Sequence, residues 1–318
     1  MKNSLISENK TFIIAEIGNN HEGNYILAKK MIVAANKAGA DAVKLQHIVP
    51  EKFFLKKEQI KKYKKFQLKD FEIKKLIQFS KKKKILLFWT FFDLESFDKY
   101  KKELKLFKIS STDNNFYFFI EKILKEKKPT FISLGLCSNK EINKLVNFIN
   151  KIDKNCHNYV SLLHCNSSYP LKNSEANLSQ IQYLKKKYPK FNIGYSDHTT
   201  GIDAPICAIS LGAKVLEKHF TINKKLSKFR DHSLSADYKD LKIIVEKSKI
   251  IHELLKNKKF QNTEQYKNRK LYRRYIFLKN SNNLKKKIDL NDLEFLRYNG
   301  KISVEKLEKI IKNKKKFK

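Results

Sequence analysis

Short, almost unbroken apolar runs recur along the first 255 residues, separated by longer stretches whose apolar residues return every three or four positions. The short runs are Phe12–Ile17, Ala42–Gln46, Ile85–Phe92, Leu106–Ser110, Thr130–Leu134, Tyr159–Cys165, Asn192–Ser196 and Lys214–Phe220. Runs apolar at successive positions predict strands buried on both faces, which occur in parallel sheets covered by helices. The stretches between them predict amphipathic helices: Tyr25–Ala38 sets Leu27, Met31 and Ala34 on one face, and Asp70–Lys82 does the same with Phe71, Ile73, Leu76, Ile77 and Phe79. Leu94–Leu104, Asn115–Lys125, Asn139–Ile152, Asn177–Tyr188, Ile202–Leu211 and Tyr238–Leu255 complete the alternation. Eight strand–helix units in roughly 250 residues predict an α/β chain folded as a (β/α)8 TIM barrel. A doubly wound open sheet is the alternative. However, the turn after the first strand reads Gly18-Asn-Asn-His-Glu-Gly23 instead of a Gly-rich dinucleotide loop, and no Walker loop occurs.

Beyond the barrel, expected over residues 1–255, a polar linker is expected over 256–270 and a second module over 271–318. In that module Leu271–Leu278 is strand-like, Leu284–Phe295 suggests a turn and short helix, and Ser303–Ile311 a terminal helix. Its 48 residues are too few to bury much core alone, so it is expected to lean on the barrel or on a second subunit.

The 318 residues hold 69 Lys+Arg against 32 Asp+Glu, a formal charge of +37. Such an excess suggests a polyanion-binding protein, but the lysines are spread through the amphipathic segments as solvated helix faces, and no RRM, KH or helix-turn-helix pattern accompanies them. A lysine-biased composition accounts for most of the charge, although residues 251–318, with 21 basic and 7 acidic groups, are more densely basic than the rest. No nucleic-acid partner is therefore expected. Apolar runs such as Ile85–Phe92 fall far short of the ~20 residues of a membrane helix, and Met1–Lys10 lacks a signal core, so neither a membrane association nor a secretory signal is expected. Cys137, Cys156, Cys165 and Cys207 form no CxxC pair; scattered thiols suit the cytoplasm.

Catalytic groups of a TIM barrel stand at the C-terminal ends of its strands. All eight predicted strands end in polar chemistry. Glu16 ends the first, Lys44 and Gln46 the second, Thr90 the third, and Lys108, Ser110, Ser111 and Asp113 the fourth. Ser133 ends the fifth, Ser167 and Tyr169 follow the sixth, Ser196, Asp197 and His198 end the seventh, and Glu217, Lys218 and His219 the eighth. Lys44 and Lys108, with Ser111, Ser133, Ser167 and Ser196, make a site for phosphate or carboxylate, the lysines supplying charge and the serines directed hydrogen bonds. His198 and His219 end adjacent strands and can share a divalent metal, with Glu16 closing the circle; two histidines and a carboxylate suit Mn, Fe or Zn in a catalytic site. His47, His157 and His252 read as surface residues.

Six ordered motifs resemble the sialic acid synthase family, which comprises N-acetylneuraminate, legionaminate and pseudaminate synthases. They are Ile14-Ala-Glu-Ile-Gly-Asn-Asn-His-Glu-Gly23, Ala38-Gly-Ala-Asp-Ala-Val-Lys-Leu-Gln46, Leu163-His-Cys-Asn-Ser-Ser-Tyr-Pro170, Gly194-Tyr-Ser-Asp-His-Thr199, Glu217-Lys-His-Phe-Thr221 and Phe229-Arg-Asp-His232. The resemblance implies a TIM barrel followed by a small α+β SAF (antifreeze-like) domain, swapped across a homodimer. It also implies condensation of phosphoenolpyruvate with an N-acetylated amino sugar (N-acetylmannosamine type) and water, giving a nine-carbon 2-keto acid and phosphate for surface polysaccharide biosynthesis. The alternatives are a related metal-dependent aldolase barrel with another acceptor and, more distantly, a basic RNA-binding protein. By motif match, His198 and His219 become ligands of Mn2+, with Mg2+ or Co2+ as substitutes. Glu16 aligns with the carboxylate near the metal and its water, and Asp231 with an acid that meets the sugar. Lys44, Thr90, Lys108, Ser111, Ser133, Ser167, Tyr169 and Ser196 fall on or beside phosphoenolpyruvate contacts. Asp113 replaces a glutamate that touches the sugar, and Arg297 matches an arginine delivered by the partner's C-terminal domain. The chain departs from the family at Phe91, where proline is usual, and at Arg297-Tyr-Asn-Gly300, where Arg-Pro-Gly is usual. It stops at Lys318 before a last expected strand, so the SAF-like domain is expected to be truncated or divergent. The resemblance does not choose among the acceptor sugars.

Overall fold

The computed structural model describes residues 5–7, 9–257, 259–279, 290–297 and 303–306, and divides them between two compact units, Met1–Leu254 and Leu255–Lys318. In the first unit eight parallel strands close on themselves. They are β1 (Phe12–Gly18), β2 (Ala42–His47), β3 (Leu86–Phe91), β4 (Phe107–Ile109), β5 (Thr130–Ser133), β6 (Val160–Cys165), β7 (Asn192–Asp197) and β8 (Val215–His219), with β8 pairing back onto β1. The predicted TIM barrel is thus the observed fold.

Strand side chains alternate between the two faces of the sheet, and here the two faces carry different cores. Outward positions such as Ile13, Ala15, Val43, Leu45, Trp89, Ile109 and Leu216 join the large cluster packed by the surrounding helices. Inward positions at the N-terminal end, Phe12, Ile14, Ala42, Phe88, Leu106, Phe131, Leu163 and Val215, form a separate apolar plug. Two residues further along the same inward columns stand Glu16, Lys44, Thr90, Lys108, Ser133, Cys165 and Glu217. The plug seals the barrel below, so the charges above it are reached only from the C-terminal mouth.

The helices follow the predicted faces in part: Met31, Ile73, Leu76 and Ile77 are buried, Leu27, Ala34 and Phe79 are half-buried, and Phe71 is exposed. In α1 (Tyr25–Ala38) Ala28, Met31, Ile32 and Ala35 are buried, and Asn24 caps its start by accepting from the Leu27 amide. Between β2 and β3 come α2 (Pro50–Phe53), α3 (Lys57–Lys64) and α4 (Asp70–Lys82); the first two had no counterpart in the predicted elements. Then follow α5 (Leu94–Tyr100), α6 (Tyr117–Leu124), α7 (Asn139–Ile152), α8 (Ser179–Lys187), α9 (Asp203–Ser210), α10 (Arg230–Leu234) and α11 (Tyr238–Leu254). His47, expected at the surface, is 6% exposed, its ring set edge-on to Phe91 and Tyr100; it is the outward-facing last residue of β2. His157 and His252 are half-buried, His252 meeting Thr11 Oγ1 at 3.1 Å.

The second unit departs from its predicted elements. Part of the expected linker is helical, α12 (Glu264–Tyr272), capped by the Thr263 side chain. β9 (Tyr275–Leu278) pairs antiparallel with β10 (Leu293–Leu296), where a short helix was expected. Alternating burial explains the strand: Leu293 packs on Ile276, with Phe295 and Val304 against them. Residues 284–289 of the expected turn and short helix and most of the helix 303–311 lie outside the described residues, apart from a helical turn at 304–306.

Gly194, inward on β7, is the narrowest point of the plug: a Cβ there would lie 2.5 Å from Leu163 Cδ2 and 2.5 Å from the Val215 carbonyl oxygen. The backbone oxygen cannot yield. Gly194→Ala is therefore expected to destabilise the barrel by about 3 kcal/mol, the upper end for overpacking a core, seen as a lower urea midpoint; an unchanged midpoint would show that β7 and β8 are less tightly apposed.

Candidate active site

At the mouth four inward strand positions bring together two ammonium groups and two carboxylates. Lys44 Nζ lies 2.8 Å from Glu16 Oε1 and 3.6 Å from Glu217 Oε1, and Lys108 Nζ lies 3.3 Å from Glu217 Oε1. All four side chains are nearly fully buried. Burial pushes Glu16 up to about 7 despite Lys44 and with help from Glu217, whereas Lys108 and Lys44 overcome the burial of Glu217 and hold it near 2. Burial pulls Lys44 down, but the two carboxylates outweigh it and leave Lys44 above its usual range; at Lys108 burial wins and the ammonium is weakened. Glu217 is the fixed anion of the cluster, and Glu16 changes its charge near neutrality. Gly18, at φ 54°, sits where the β1–β2 pairing skips a residue. The chain turns there, Asn19 Nδ2 donates to Gln46 Oε1 (3.0 Å), and Gln46 Nε2 donates to Glu16 Oε1 (3.3 Å).

Beside the charges lies a hydroxyl cradle. Ser133 Oγ and Ser167 Oγ are buried without a partner, and Ser196 Oγ donates to Glu217 Oε1 (3.0 Å). A Cβ on Gly135 would lie 2.5 Å from both Ser111 Oγ and Ser167 Oγ, so the missing side chain leaves those oxygens facing a space one methyl wide. Asn114 holds the loop in place, donating to the Ser133 and Gly135 carbonyls at 3.1 and 2.8 Å. Ammonium groups and unpartnered hydroxyls in a dry cleft are what a phosphate or carboxylate takes.

On the other side His198 and His219 face each other with ring centroids 5.4 Å apart. His198 Nδ1 is 2.7 Å from the Asn166 carbonyl and 3.9 Å from Cys165 Sγ. Burial lowers His198, but these partners outweigh it and raise it above the ordinary imidazole range; in the neutral ring Nδ1 donates and Nε2 keeps its lone pair. His219 Nδ1 is buried without a partner, and burial, with His198 beside it, holds His219 far below the ordinary imidazole range and neutral. Two imidazoles with lone pairs available, one oriented by a backbone carbonyl, fit a divalent ion. The expected third ligand does not join them: Glu16 turns to Lys44, and among the described residues no three His, Cys, Asp or Glu side chains gather round one point. His198 and His219 would offer a divalent ion two protein nitrogens. Tyr169 packs on His198 at 4.1 Å, and the Arg230 guanidinium lies over the Tyr169 ring at 4.4 Å while its Nε bonds Asp231 Oδ1 at 3.0 Å.

A cavity of about 600 Å3 unites these groups. Its lining includes Glu16, Lys44, Lys108, Ser111, Ser133, Ser167, Tyr169, Ser196, His198, His219 and Asp231, all singled out from the sequence, with Phe53, Phe92 and Phe229 at its apolar rim. Three other candidates stand elsewhere. Thr90 lies within hydrogen-bonding distance of Lys44 Nζ (3.2 Å); Asp113 turns into the loop after β4, where it accepts from Ser110 Oγ (3.0 Å); and Arg297 is an exposed residue of the second unit. Glu217, Gly135, Asn114 and Arg230 were not singled out as site residues. For Glu217 the signal was present, since it stands two residues before His219 on one strand and must share its face.

Residues 31–260 match the NeuB family. The N,N'-diacetyllegionaminic acid synthase of Campylobacter jejuni is 35% identical, the match covering 92% of this chain and 96% of that one. The human N-acetylneuraminate-9-phosphate synthase is 33% identical over 77% of this chain and 71% of its own. A crystal structure of the N-acetylneuraminic acid synthetase of Leptospira borgpetersenii, in complex with citrate, superposes with a TM-score of 0.76 at 36% identity, over 82% of this chain and 90% of that one. A barrel with an anion cradle in its mouth defines an enzyme, and the chain belongs to the NeuB family, the sialic acid synthases. It is a carbon–carbon bond-forming transferase that uses phosphoenolpyruvate.

Two outcomes are expected. Gly135→Ala fills the cradle, so the dissociation constant for phosphoenolpyruvate should rise at least about tenfold, the loss of one charge-assisted contact, with the unfolding midpoint unmoved; calorimetry on the folded variant checks it. The second concerns pH. With Glu16 ionised the four-charge cluster is neutral, and with Glu16 protonated it carries one net positive charge. An anion therefore favours the protonated form, and its affinity falls as pH rises through about 7. The substrate's own phosphate adds a pH dependence of its own, so the parent and Glu16→Gln are compared from about pH 6 to about pH 8. The parent should weaken more steeply; parallel curves would show that Glu16 holds no proton in this range.

Proposed function

We propose that this enzyme condenses phosphoenolpyruvate with an N-acetylated amino sugar of the N-acetylmannosamine type and water, releasing phosphate and a sialic-acid-like nine-carbon 2-keto acid for surface polysaccharide biosynthesis. The observation that carries the reading is one cavity lined by both an anion cradle and the imidazoles of His198 and His219: the first suits phosphoenolpyruvate, the second the carbonyl of an acceptor. Lys44 and Lys108 take the phosphate and carboxylate, and Ser111, Ser133, Ser167 and Ser196 direct them. Carbon 3 of phosphoenolpyruvate then attacks the open-chain aldehyde of the sugar, carbon 2 becomes an oxocarbenium ion and takes water, and the tetrahedral adduct collapses with loss of phosphate. Fixed charges in a dry mouth stabilise this movement of charge without reorganising, and holding both substrates together removes much of the entropic barrier. Glu16, which holds a proton near neutrality, is placed to exchange one with the reacting oxygen or with water. His198 and His219 would hold a divalent ion, Mn2+ by preference, whose chemistry is to polarise the aldehyde oxygen.

The outer cavity meets the sugar. Asp231 and Arg230 offer an acceptor and a donor for its hydroxyl and acetamido groups, Tyr169 a ring face, and the phenylalanine rim its less polar edge. Asp113 follows the lining residues 110–112 directly and would reach the sugar by turning from Ser110 Oγ. Arg297 belongs to the second unit and would act in a swapped homodimer, where one chain's C-terminal unit completes its partner's site. The four free thiols suit work in the cytoplasm.

The test is phosphate release from phosphoenolpyruvate with a panel of N-acetyl and di-N-acetyl hexosamines. Release should require the hexosamine, stop in excess chelator and return with Mn2+. Release without any amino sugar would overturn the acceptor assignment, and full turnover in chelator would overturn the metal.

A further inference from the structure

We propose that Lys218 and Asp197, on the helix side of β7 and β8, form a positioning strut that sets the spacing of the His198 and His219 imidazoles and so tunes the affinity of the barrel mouth for a divalent ion. The ion itself rests on the reading given above; the strut is read from the geometry alone.

Alternation along β8 turns Glu217 and His219 inward and Lys218 outward, between Leu216 and Phe220 of the outer core. There Lys218 is completely buried, as is the Asp197 side chain. The ammonium bonds two points that flank His198: Asp197 Oδ2, at 2.6 Å, and the Thr199 carbonyl. Asp197 Oδ1 in turn accepts from Tyr195 Oη (2.9 Å), Thr199 N (3.0 Å) and Thr199 Oγ1 (2.9 Å). The residues before and after His198 are thus tied to one ammonium, and that ammonium belongs to the residue immediately before His219. The Leu171 amide, donating to the His198 carbonyl at 2.9 Å, and Asn166 O on Nδ1 fix the remaining freedoms.

Residues 197–199 and 218–219 therefore set both imidazoles on one short cross-link. A buried ion pair is a poor source of stability, because desolvation consumes most of its attraction. Well-packed apolar residues would serve the outer core at least as well here. What the pair supplies and apolar residues do not is direction: Lys218 has three donors and Asp197 four lone-pair sites, and the bonds they make all end on the segment that presents His198.

Lys218→Met and the double variant Asp197→Asn/Lys218→Met test this. The double variant leaves no lone buried charge and keeps an acceptor for the Thr199 amide, so it serves where the single variant fails to fold. Mn2+ affinity is measured by calorimetry, and the ring signals of His198 and His219 by 1H–15N NMR of the ion-free chain. Affinity should fall about 10- to 100-fold, as when a partner that orients a metal ligand is lost; Lys218→Arg should recover most of it, and the ring signals of His198 and His219 should shift while those of His47 and His252 stay. Phosphoenolpyruvate binding without metal should be unchanged. A merely structural pair would lower the unfolding midpoint and leave the two ring signals in place, which would overturn the proposal, as would unchanged Mn2+ affinity. A parent chain that binds no Mn2+ would remove the metal reading, and the strut would still stand or fall on the ring signals.

Discussion

Everything at the mouth of this barrel depends on two lysines and two carboxylates neutralising one another out of water. Each charge alone would cost several kcal/mol to bury; together Lys44, Lys108, Glu16 and Glu217 form ion pairs of 2.8–3.6 Å, while Oε2 of each carboxylate stays without a partner. The cluster is also what makes the site responsive. Because its charges cancel, an arriving anion finds ammonium groups already occupied and must compete with a carboxylate. Glu16, the member whose ionisation is weakest, is the one that gives way.

Two design levels share each strand. The inward column runs from apolar plug to charged mouth within a few residues, while the outward column is mostly apolar, with His47, Thr130 and His164 as neutral polar members and the Lys218–Asp197 ion pair crossing it. A one-residue slip in any strand would exchange the two columns. At β8 it would bury Lys218 in the cavity and turn Glu217 and His219 into the helix layer, so strand register and chemistry are specified by the same alternation.

Much of this was legible in the sequence. Apolar runs at regular spacing announced the eight strands, and a lysine or histidine at the end of such a run had to be either anomalous or functional. Lys44, Lys108, His198 and His219 stood out for that reason. Glu217 did not, because its role depends on lysines two and four strands away, and closure of the ring is what brings β8 beside β1. Gly135 was silent because its function is an absent side chain, and Arg230 because a guanidinium over a tyrosine ring is a contact between distant loops. His47 misled in the other direction: a polar residue after an apolar run looks exposed, yet it packs between aromatic rings under the helices. In the second unit, short segments with mixed patterns gave a helix where cross-strand packing of Leu293 on Ile276 makes a strand.

The four charges come from the first, second, fourth and last strands. A partly formed sheet lacking β8 would hold two ammonium groups against a single carboxylate, in a cleft still open to water on one side. Water would solvate that imbalance, and drying the cleft would be unfavourable until Glu217 arrived. The barrel therefore has no stable half: the strand that completes its hydrogen-bonded circle is the same one that completes its charge balance. β8, the last barrel strand to be synthesised, is thus what commits the barrel to fold, and the catalytic mouth is assembled in the same cooperative step as the core beneath it.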